Sequence, residues 1–385
     1  MKRKSVAIIG GGASGMMAAI FASCKCDVTI FEKSDMIGKK ILATGNGRCN
    51  LSNKNVCEQF YSDKFFAKKI LDQFDFEDLI CFFNDIGLEV FCDDFGRCYP
   101  VSNCASSVLD CLKLKIKSLN IDLKTNQTVV DVQKNADCFV VKTANEQFCF
   151  DKVIVCVCNK ASEILSGFNL KFSEEKPALV GFKTNKKEIC GLSGIRAFAK
   201  VHYLAHESFG EVQFKDDGIS GICVMDISCF LDKNKSNLLT LDLLPQIDLE
   251  VLKSKLQIEK KNNSYLTIEN LLIGFFHKKL ARLILKRAGV VDFESKIENL
   301  NDAQLDKICE VAKKFKIEIL GTYNNPQVLR GGIKTNELGN DLMIKNVSGL
   351  YVCGEAIDIV GLCGGFNLHF AFACGKIAGT SVCQD

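Results

Sequence analysis

The sequence predicts an α/β fold in which a Rossmann-like domain carries an inserted β-barrel-like domain and a helical subdomain. Two apolar, strand-like runs, each followed by glycines and an apolar helical segment, lie near opposite ends of the 385-residue chain. Between them the pattern changes after Pro177 to short, glycine-punctuated strands, and then to a stretch rich in Lys, Glu, Leu and Ile at helical spacing. We therefore expect a discontinuous first domain over 1–170 and 325–385, a β-rich domain over 171–235, and a helical subdomain with a return to the β-rich domain over 236–324.

The first glycine-rich run has the spacing of a dinucleotide-binding βαβ unit. Gly10 permits a tight turn, Gly12 lets the backbone approach a pyrophosphate, and Gly15 allows the helix to pack closely on its strand. The helix N-terminus then presents free N–H groups to the phosphates. A second strand over 27–31 ends at Glu32. This is about the spacing at which an acidic side chain accepts hydrogen bonds from the ribose hydroxyls. The alternative is a glycine-rich turn in an unrelated α/β fold, which the complete strand, helix and carboxylate context disfavours.

The C-terminal glycine-rich segment favours a flavin as the ligand. A short apolar strand begins at Gly349, and no residue of 359–375 carries a formal charge at pH 7. The segment is shorter and richer in glycine than a membrane span. The helix start over 364–367 offers free N–H groups and the positive end of a helix dipole to a flavin ring, which gains negative charge on reduction. The alternative is a helix-packing seam that needs glycine only for close approach.

Five motifs, taken in order, resemble those of a known family. They are the turn at 10–15, Gly-Asn-Gly-Arg-Cys-Asn within 38–50, Gly-Arg-Cys-Tyr-Pro at 96–100, Gly-Ile-Ser-Gly at 218–221 and Gly-Gly-Phe-Asn within 361–367. Over nearly its whole length the chain is similar to the bacterial FAD-binding oxidoreductases that include aminoacetone oxidases and bile-acid dehydro-reductases. The resemblance implies a non-covalent FAD in a discontinuous Rossmann-like domain, with an inserted substrate domain between its halves.

The glycine pattern and the resemblance together assign parts of the cofactor to parts of the chain. We expect Glu32 at the AMP ribose, the 10–15 turn at the pyrophosphate, Glu355 or its strand end at the ribityl chain, and 364–368 at the flavin ring. No catalytic base is assigned, because the cofactor brings the hydride chemistry and the site mainly orients it. The cofactor-binding residues predicted in this way are Gly10, Gly12, Ala13, Ser14, Gly15, Glu32, Lys33, Lys40, Gly45, Gly47, Arg48, Asn50, Val130, Gly354, Glu355, Asp358, Gly364, Gly365, Phe366, Asn367 and Leu368.

The chain departs from the family pattern in three places. A mid-chain strand over 153–158 runs into Asn159 and Lys160, where the family has a further glycine-rich segment. Ile222 stands where the family prefers Pro, and His369 where it tends to have Gln. His369 either alters the polar groups near the flavin ring or stabilises a packed helix, and we favour the second interpretation.

Composition and charge agree with a cytoplasmic enzyme. The net charge of +3 is small, and Lys and Arg are dispersed among Asp and Glu, so we expect no nucleic-acid partner. The basic start leads directly into the first strand, so we expect no signal peptide and no membrane association. A small-molecule substrate is the expected partner, and the oligomeric state is not predicted.

The 21 cysteines are expected to be reduced thiols. No two of them are three residues apart, so the spacing matches neither a redox CxxC pair nor a zinc ribbon. Cys49, in the Gly-Asn-Gly-Arg-Cys-Asn turn, is the one candidate for a nucleophilic thiol. His202 and His206 are four apart in strand-like sequence, too far apart on one strand for one metal, so we expect them to be solvated.

The remaining segments follow from hydrophobic periodicity. Apolar residues at helical spacing predict one or two amphipathic helices over 63–86 and another around Val108 and Leu112. Alternating residues over 127–150 predict an antiparallel meander. Residues 249–315 are expected to be helical.

The sequence favours an FAD-dependent oxidoreductase that transfers a hydride between a small organic substrate and flavin. A second dinucleotide fingerprint is absent from the sequence, so NAD(P)H is expected only as a transient co-substrate docking at the flavin. The alternatives are an amine oxidase that uses O₂, a flavin-binding regulator without turnover, and a flavoenzyme that modifies RNA.

Overall fold

The computed structural model describes residues 3–232, 234–324 and 326–384. No helix within these ranges combines the length and hydropathy that a membrane crossing requires. The strands of the described ranges are β1 (Lys4–Ile9), β2 (Cys26–Phe31), β3 (Ser52–Asn53), β4 (Val90–Cys92), β5 (Arg97–Pro100), β6 (Asp122–Lys124), β7 (Val129–Lys134), β8 (Phe139–Thr143), β9 (Gln147–Phe150), β10 (Lys152–Val155), β11 (Phe172–Ala178), β12 (Phe182–Thr184), β13 (Arg196–Tyr203), β14 (His206–Phe214), β15 (Gly218–Ser220), β16 (Leu238–Asp242), β17 (Phe315–Thr322), β18 (Val328–Ile333) and β19 (Leu350–Val352). The α-helices are α1 (Ala13–Ala22), α2 (Lys39–Leu42), α3 (Lys64–Leu71), α4 (Phe76–Asp85), α5 (Ala105–Ser118), α6 (Ala161–Ile164), α7 (Ile222–Ser228), α8 (Leu249–Asn262), α9 (Lys278–Arg287), α10 (Asp302–Lys313) and α11 (Phe366–Ser381).

The described residues form two compact units. The first extends to Lys176 and resumes at Val328, and the second runs from Pro177 to Gln327. The first unit contains a five-stranded sheet in the order β19-β10-β1-β2-β6, in which every neighbouring pair is parallel. The second contains a closed barrel in the order β12-β15-β14-β13-β16-β17. The predicted α/β fold class is confirmed.

The first unit is built on strands that are apolar over most of their length, as expected for a sheet covered on both faces. Val6 to Ile9 are buried, as is the whole of β10. The predicted meander is present as the antiparallel strands β7, β8 and β9, and the predicted amphipathic helices are present as α3, α4 and α5.

Helices α1 and α11 pack against each other through small residues. A Cβ at Gly375 would overlap the Ser14 carbonyl oxygen, and one at Gly379 would overlap that of Ala18. The two contacts advance in the same direction along both helices, so α1 and α11 run parallel with their N-termini at the same end. Most residues of both helices are buried, which explains why neither shows a strong amphipathic pattern.

In the second unit the helices α8, α9 and α10 lie in sequence between two neighbouring strands of the barrel. The strands β16 and β17, which flank these helices, pair antiparallel from Leu238 to Leu241. Helices are therefore present within the predicted range 249–315.

The expectation that His202 and His206 lie on one strand is wrong, although both keep contact with solvent. His202 and His206 do not share a strand, because the chain reverses between them and places His206 opposite Tyr203 on the next strand. His202 instead lies 3.6 Å from Glu207, and His206 stacks on Phe230 with ring centroids 3.9 Å apart. No group of side chains suited to a metal ion occurs in the described part of the chain.

The expectation of reduced thiols throughout is also wrong. Cys92 and Cys98 form a disulfide, with Cα atoms 4.2 Å apart. The two residues face each other across the antiparallel pair of β4 and β5, where the turn closed by the Gly96 N–H and the Asp93 carbonyl brings them together. Spacing alone did not reveal this bridge, because cross-strand pairing depends on the register of the hairpin.

Candidate functional site

The first glycine-rich turn lies at the carboxyl end of β1 and is tightly constrained. Gly10 has φ 102°, and a Cβ there would come within 2.6 Å of the Cys156 carbonyl oxygen. A Cβ at Gly15 would overlap the Gly10 carbonyl oxygen. Both positions therefore need glycine for packing and conformation within the protein itself.

Gly12 differs from these two glycines because the space where a side chain would begin is open. A Cβ there would meet no described atom within 4 Å, although Gly12 is the N-cap of α1. No side chain of the described residues caps this helix, so its first N–H groups receive no side-chain acceptor. An anion with a close approach to backbone fits this position.

Glu32 lies beside the same turn at the end of β2. Its Oε2 accepts a hydrogen bond from the Gly11 N–H at 2.8 Å, and its Oε1 accepts one from the Ser34 N–H at 2.8 Å. A carboxylate has about four acceptor positions, so both oxygens retain capacity for ribose hydroxyls. The backbone thus fixes both carboxylate oxygens beside the turn, and the role of Glu32 towards a ribose stays a prediction. Lys33 is exposed next to it.

Glu355 forms an ion pair with Lys40. Lys40 Nζ lies 2.6 and 2.8 Å from the two carboxylate oxygens, and the Leu329 N–H donates to Oε1 at 2.8 Å. Gly354 has φ 63°, and a Cβ there would lie 2.7 Å from Ser14 Oγ. The geometry brings Lys40, Glu355 and the α1 N-terminus together around one region.

Two further predicted residues lie on neighbouring backbone. Asp358 donates its N–H to the Ile333 carbonyl oxygen at 2.8 Å. Val130 lies on β7 and is 49% exposed. Shortly before this strand, the Gln127 N–H donates to the Glu32 carbonyl oxygen at 2.9 Å. Their roles towards a cofactor stay predictions.

The segment 44–50 is a tight loop with several left-handed residues. Gly45 and Gly47 have φ of 56° and 84°, and Cys49 has φ 59°. Arg48 is exposed, with its guanidinium carbon 4.6 Å from the centroid of the Tyr99 ring. Cys49 is buried, and this burial raises the pKa of its thiol to about 11, so it is no nucleophile at neutral pH.

Asn50 carries a buried amide oxygen, Oδ1, without a hydrogen-bond partner among the described residues. This oxygen lies 2.8 Å from where a Cβ of Gly365 would be, at the start of α11. Buried polar atoms are nearly always paired, so an orphaned acceptor indicates a missing donor. The unsatisfied oxygen and the open space at Gly12 are what a bound dinucleotide cofactor would fill, and the residues present fit FAD.

The N-terminal turn of α11 is held by β3 and the loop after it. Asn53 Nδ2 donates to the Gly364 carbonyl oxygen at 3.0 Å, and Tyr61 Oη donates to that of Phe366 at 2.8 Å. Asn367 closes the turn, because its side chain accepts from the Gly361 N–H and donates to the Gly361 carbonyl oxygen. The first N–H groups of α11, up to that of Leu368, thus have a fixed direction.

Ser52, Asn53 and Tyr61 are positioning residues that sequence reasoning missed. Each acts on the α11 turn from a point about 300 residues away in the chain. Their proximity to the Gly-Arg-Cys-Asn motif was the one available signal.

His369 supports the interpretation of a packed helix. It is fully buried on α11, with Nδ1 2.8 Å from Ser52 Oγ and Nε2 3.4 Å from the Phe74 carbonyl oxygen. Because that carbonyl can only accept, Nε2 carries the proton and Nδ1 accepts from the serine hydroxyl. Burial lowers the pKa of the ring, so His369 is neutral at pH 7, and its bond to Ser52 joins α11 to β3.

This buried histidine predicts a pH dependence of stability. Burial lowers the pKa of His369 to about 4, against about 6.5 in an unfolded chain. Between these values only the unfolded state binds the proton, so the stabilisation is complete above about pH 6.5 and is lost as the pH falls towards 4. We expect the free energy of unfolding to fall between pH 7 and pH 4 by about 2–3 kcal/mol more in the wild type than in His369→Gln. Urea denaturation at both pH values measures the difference, and equal decreases in the two proteins would contradict it.

Comparison with known proteins agrees with this geometry. A family model described as the HI0933-like protein Rossmann domain matches residues 4–381. The chain is 34% identical to a 3-dehydro-bile acid delta(4,6)-reductase of Clostridium scindens, over 98% of this chain and 99% of that protein. It is 26% identical to a ribosomal RNA dihydrouridine synthase of Haemophilus influenzae, over 98% of each.

A solved structure shares the fold. The 3-ketosteroid-delta4-(5alpha)-dehydrogenase of Rhodococcus jostii RHA1 aligns with a TM-score of 0.50 at 12% identity, covering 100% of this chain and 97% of that one. The match to the family model over nearly the whole chain, with the full-length relative at 34% identity, shows that this chain belongs to the HI0933-like family and is an FAD-dependent oxidoreductase.

Proposed function

We propose that this protein uses NAD(P)H to reduce a carbon–carbon double bond conjugated to a carbonyl in a small organic substrate. The observation that carries the proposal is the 34% identity, over both full lengths, to a relative named as a delta(4,6)-reductase of a 3-dehydro-bile acid. Those words describe double bonds in conjugation with a 3-oxo group. The dihydrouridine synthases, at 26% identity, are named for a product in which a ring double bond conjugated to a carbonyl has been reduced.

The residues of the first unit support this chemistry. Bound flavin supplies the hydride chemistry. The N–H groups at the start of α11 would favour negative charge on a flavin ring held there, and the α1 N-terminus would favour a pyrophosphate. Glu32 orients the adenosine half through the ribose.

The source of electrons follows from the single dinucleotide fingerprint in the sequence. Residues 10–15 and Glu32 are assigned to FAD, and no second Gly-x-Gly-x-x-Gly unit serves a nicotinamide. NAD(P)H therefore docks transiently and leaves after reduction.

Anaerobic rapid mixing tests this proposal. We expect NADH or NADPH to bleach the flavin absorbance of the holoprotein, an enone such as a 3-oxo-Δ4 steroid to restore it, and aminoacetone to have no effect. Bleaching by aminoacetone without a response to either nicotinamide would establish the amine oxidase alternative. No bleaching by any donor would favour the regulator.

A second candidate is the reduction of uridine in RNA, favoured by two dihydrouridine synthases at 26% identity over 97–98% of this chain. This function requires that the protein bind structured RNA at physiological salt. It also requires that the added protein form dihydrouridine in ribosomal RNA isolated from cells that lack the protein. The small-molecule proposal expects neither.

A further inference from the structure

Three thiols meet where α1 and α11 end. Cys24 Sγ lies 3.7 Å from Cys383 Sγ, and Cys26 Sγ lies 3.9 Å from the same atom. Cys24 follows the C-terminus of α1, and Cys383 lies just beyond the end of α11. The cluster is thus at the opposite end of these helices from the proposed cofactor site.

The three thiols differ in access to solvent. Cys24 is exposed, Cys383 is partly buried, and Cys26 is 3% exposed. Burial, followed by the neighbouring Cys26 and Cys24, raises the pKa of the Cys383 thiol to about 12. Cys383 also lies 3.4 Å from the Ala22 carbonyl oxygen, to which its thiol donates. Oxidation begins at an accessible sulfur, so the oxidant reacts first with Cys24, and Cys383 is the thiol that then attacks the oxidised Cys24 sulfur.

We propose that Cys24 and Cys383 form a peroxide-sensitive modification site that closes into a disulfide. The Cys24 thiolate attacks a peroxide O–O bond, gives a sulfenic acid, and releases the alcohol or water of the reduced peroxide. The Cys383 sulfur then attacks the sulfenic sulfur, the S–O bond breaks, and the hydroxyl leaves as water with the Cys383 proton. Two thiols are oxidised by two electrons, and one peroxide is reduced.

The two sulfur atoms need to move only a short distance to form the disulfide. Sulfur atoms in a disulfide are about 2.05 Å apart, so the two sulfurs must approach by about 1.7 Å. Cys24 lies in an exposed turn after α1, and Cys383 lies just beyond the end of α11, so neither residue is held within a helix. The bridge would join residues 359 positions apart and tie together the two helices whose N-termini face the proposed cofactor site.

The test uses FAD-loaded wild-type protein treated with hydrogen peroxide, quenched with an alkylating reagent and digested without reductant. We expect one new disulfide-linked peptide pair, Cys24 with Cys383, by mass spectrometry. The pair is absent from Cys24→Ser and Cys383→Ser and present in the matched control Cys26→Ser, which removes the third thiol. Oxidised wild type should also unfold at a higher temperature than its reduced form, and this rise should vanish in Cys383→Ser.

Three results would overturn the proposal. One is a wild-type bridge between Cys26 and Cys383, which would remove Cys24 from the site. Another is Cys24 oxidised to the sulfinic or sulfonic acid with Cys383 still a free thiol. The third is an equal thermal shift in wild type and Cys383→Ser. None of these results depends on the substrate or on the electron donor, so they are independent of the proposed function.

Discussion

Gly12→Val should strongly weaken FAD binding while leaving the protein folded. The substituted Cβ meets no described atom within 4 Å, and the backbone at Gly12, with φ −77° and ψ −167°, is one that valine adopts readily. The side chain would instead occupy the space at the α1 N-terminus that we assign to the pyrophosphate. We expect FAD affinity to fall by about 100-fold or more, equivalent to at least about 2.7 kcal/mol.

Titration of the apoprotein with FAD, followed by flavin fluorescence, measures this loss, and urea denaturation of the apoprotein shows that folding is unchanged. Gly274→Val, in the second unit, is the control for a valine placed in open space, because a Cβ there meets no described atom within 4 Å. Wild-type FAD affinity in Gly12→Val would place the pyrophosphate elsewhere.

Gly365→Val should also strongly weaken FAD binding, for a different reason. Gly365 has φ 97°, and a Cβ there would overlap the Ser52 carbonyl oxygen and come within 2.8 Å of Asn50 Oδ1. The start of α11 must then move away from β3, which misdirects the helix N–H groups that face the proposed flavin position. We expect FAD affinity to fall by about 100-fold or more, together with some loss of stability from the backbone strain.

The control separates strain from steric overlap. Gly87 has φ 84°, but a Cβ there meets no described atom within 4 Å. Gly87→Val should therefore lose stability as a result of its backbone conformation and keep its FAD affinity once folded. Normal flavin content and normal reduction in Gly365→Val would contradict the assignment of this turn to the ring.

Sequence reasoning succeeded where the relevant signal is local. The turn at Gly10 needs a positive φ and close approach, and both requirements are met by residues within one βαβ unit and its neighbouring strand. The apolar runs of β1 and β10 likewise predict strands that are covered on both faces.

Sequence reasoning failed where contacts depend on the register of a hairpin or on segments far apart in the chain. The Cys92–Cys98 bridge follows from the pairing of β4 with β5, and the separation of His202 from His206 follows from a hairpin turn. Ser52 and Tyr61 hold a helix more than 300 residues away, a relationship that no periodicity in the sequence encodes. His369 shows the same limit, because its two partners come from separate segments.

The most direct measurement of the central claim is the identity of the flavin that the protein releases. The purified protein should be yellow, or become so with added FAD, and on heat denaturation it should release FAD in a ratio of about one per chain, resolved from FMN by chromatography. Glu32 and the Gly10 to Gly15 turn suit the adenosine half of FAD, which FMN lacks. Release of FMN alone, or a colourless protein that FAD cannot reconstitute, would contradict the account.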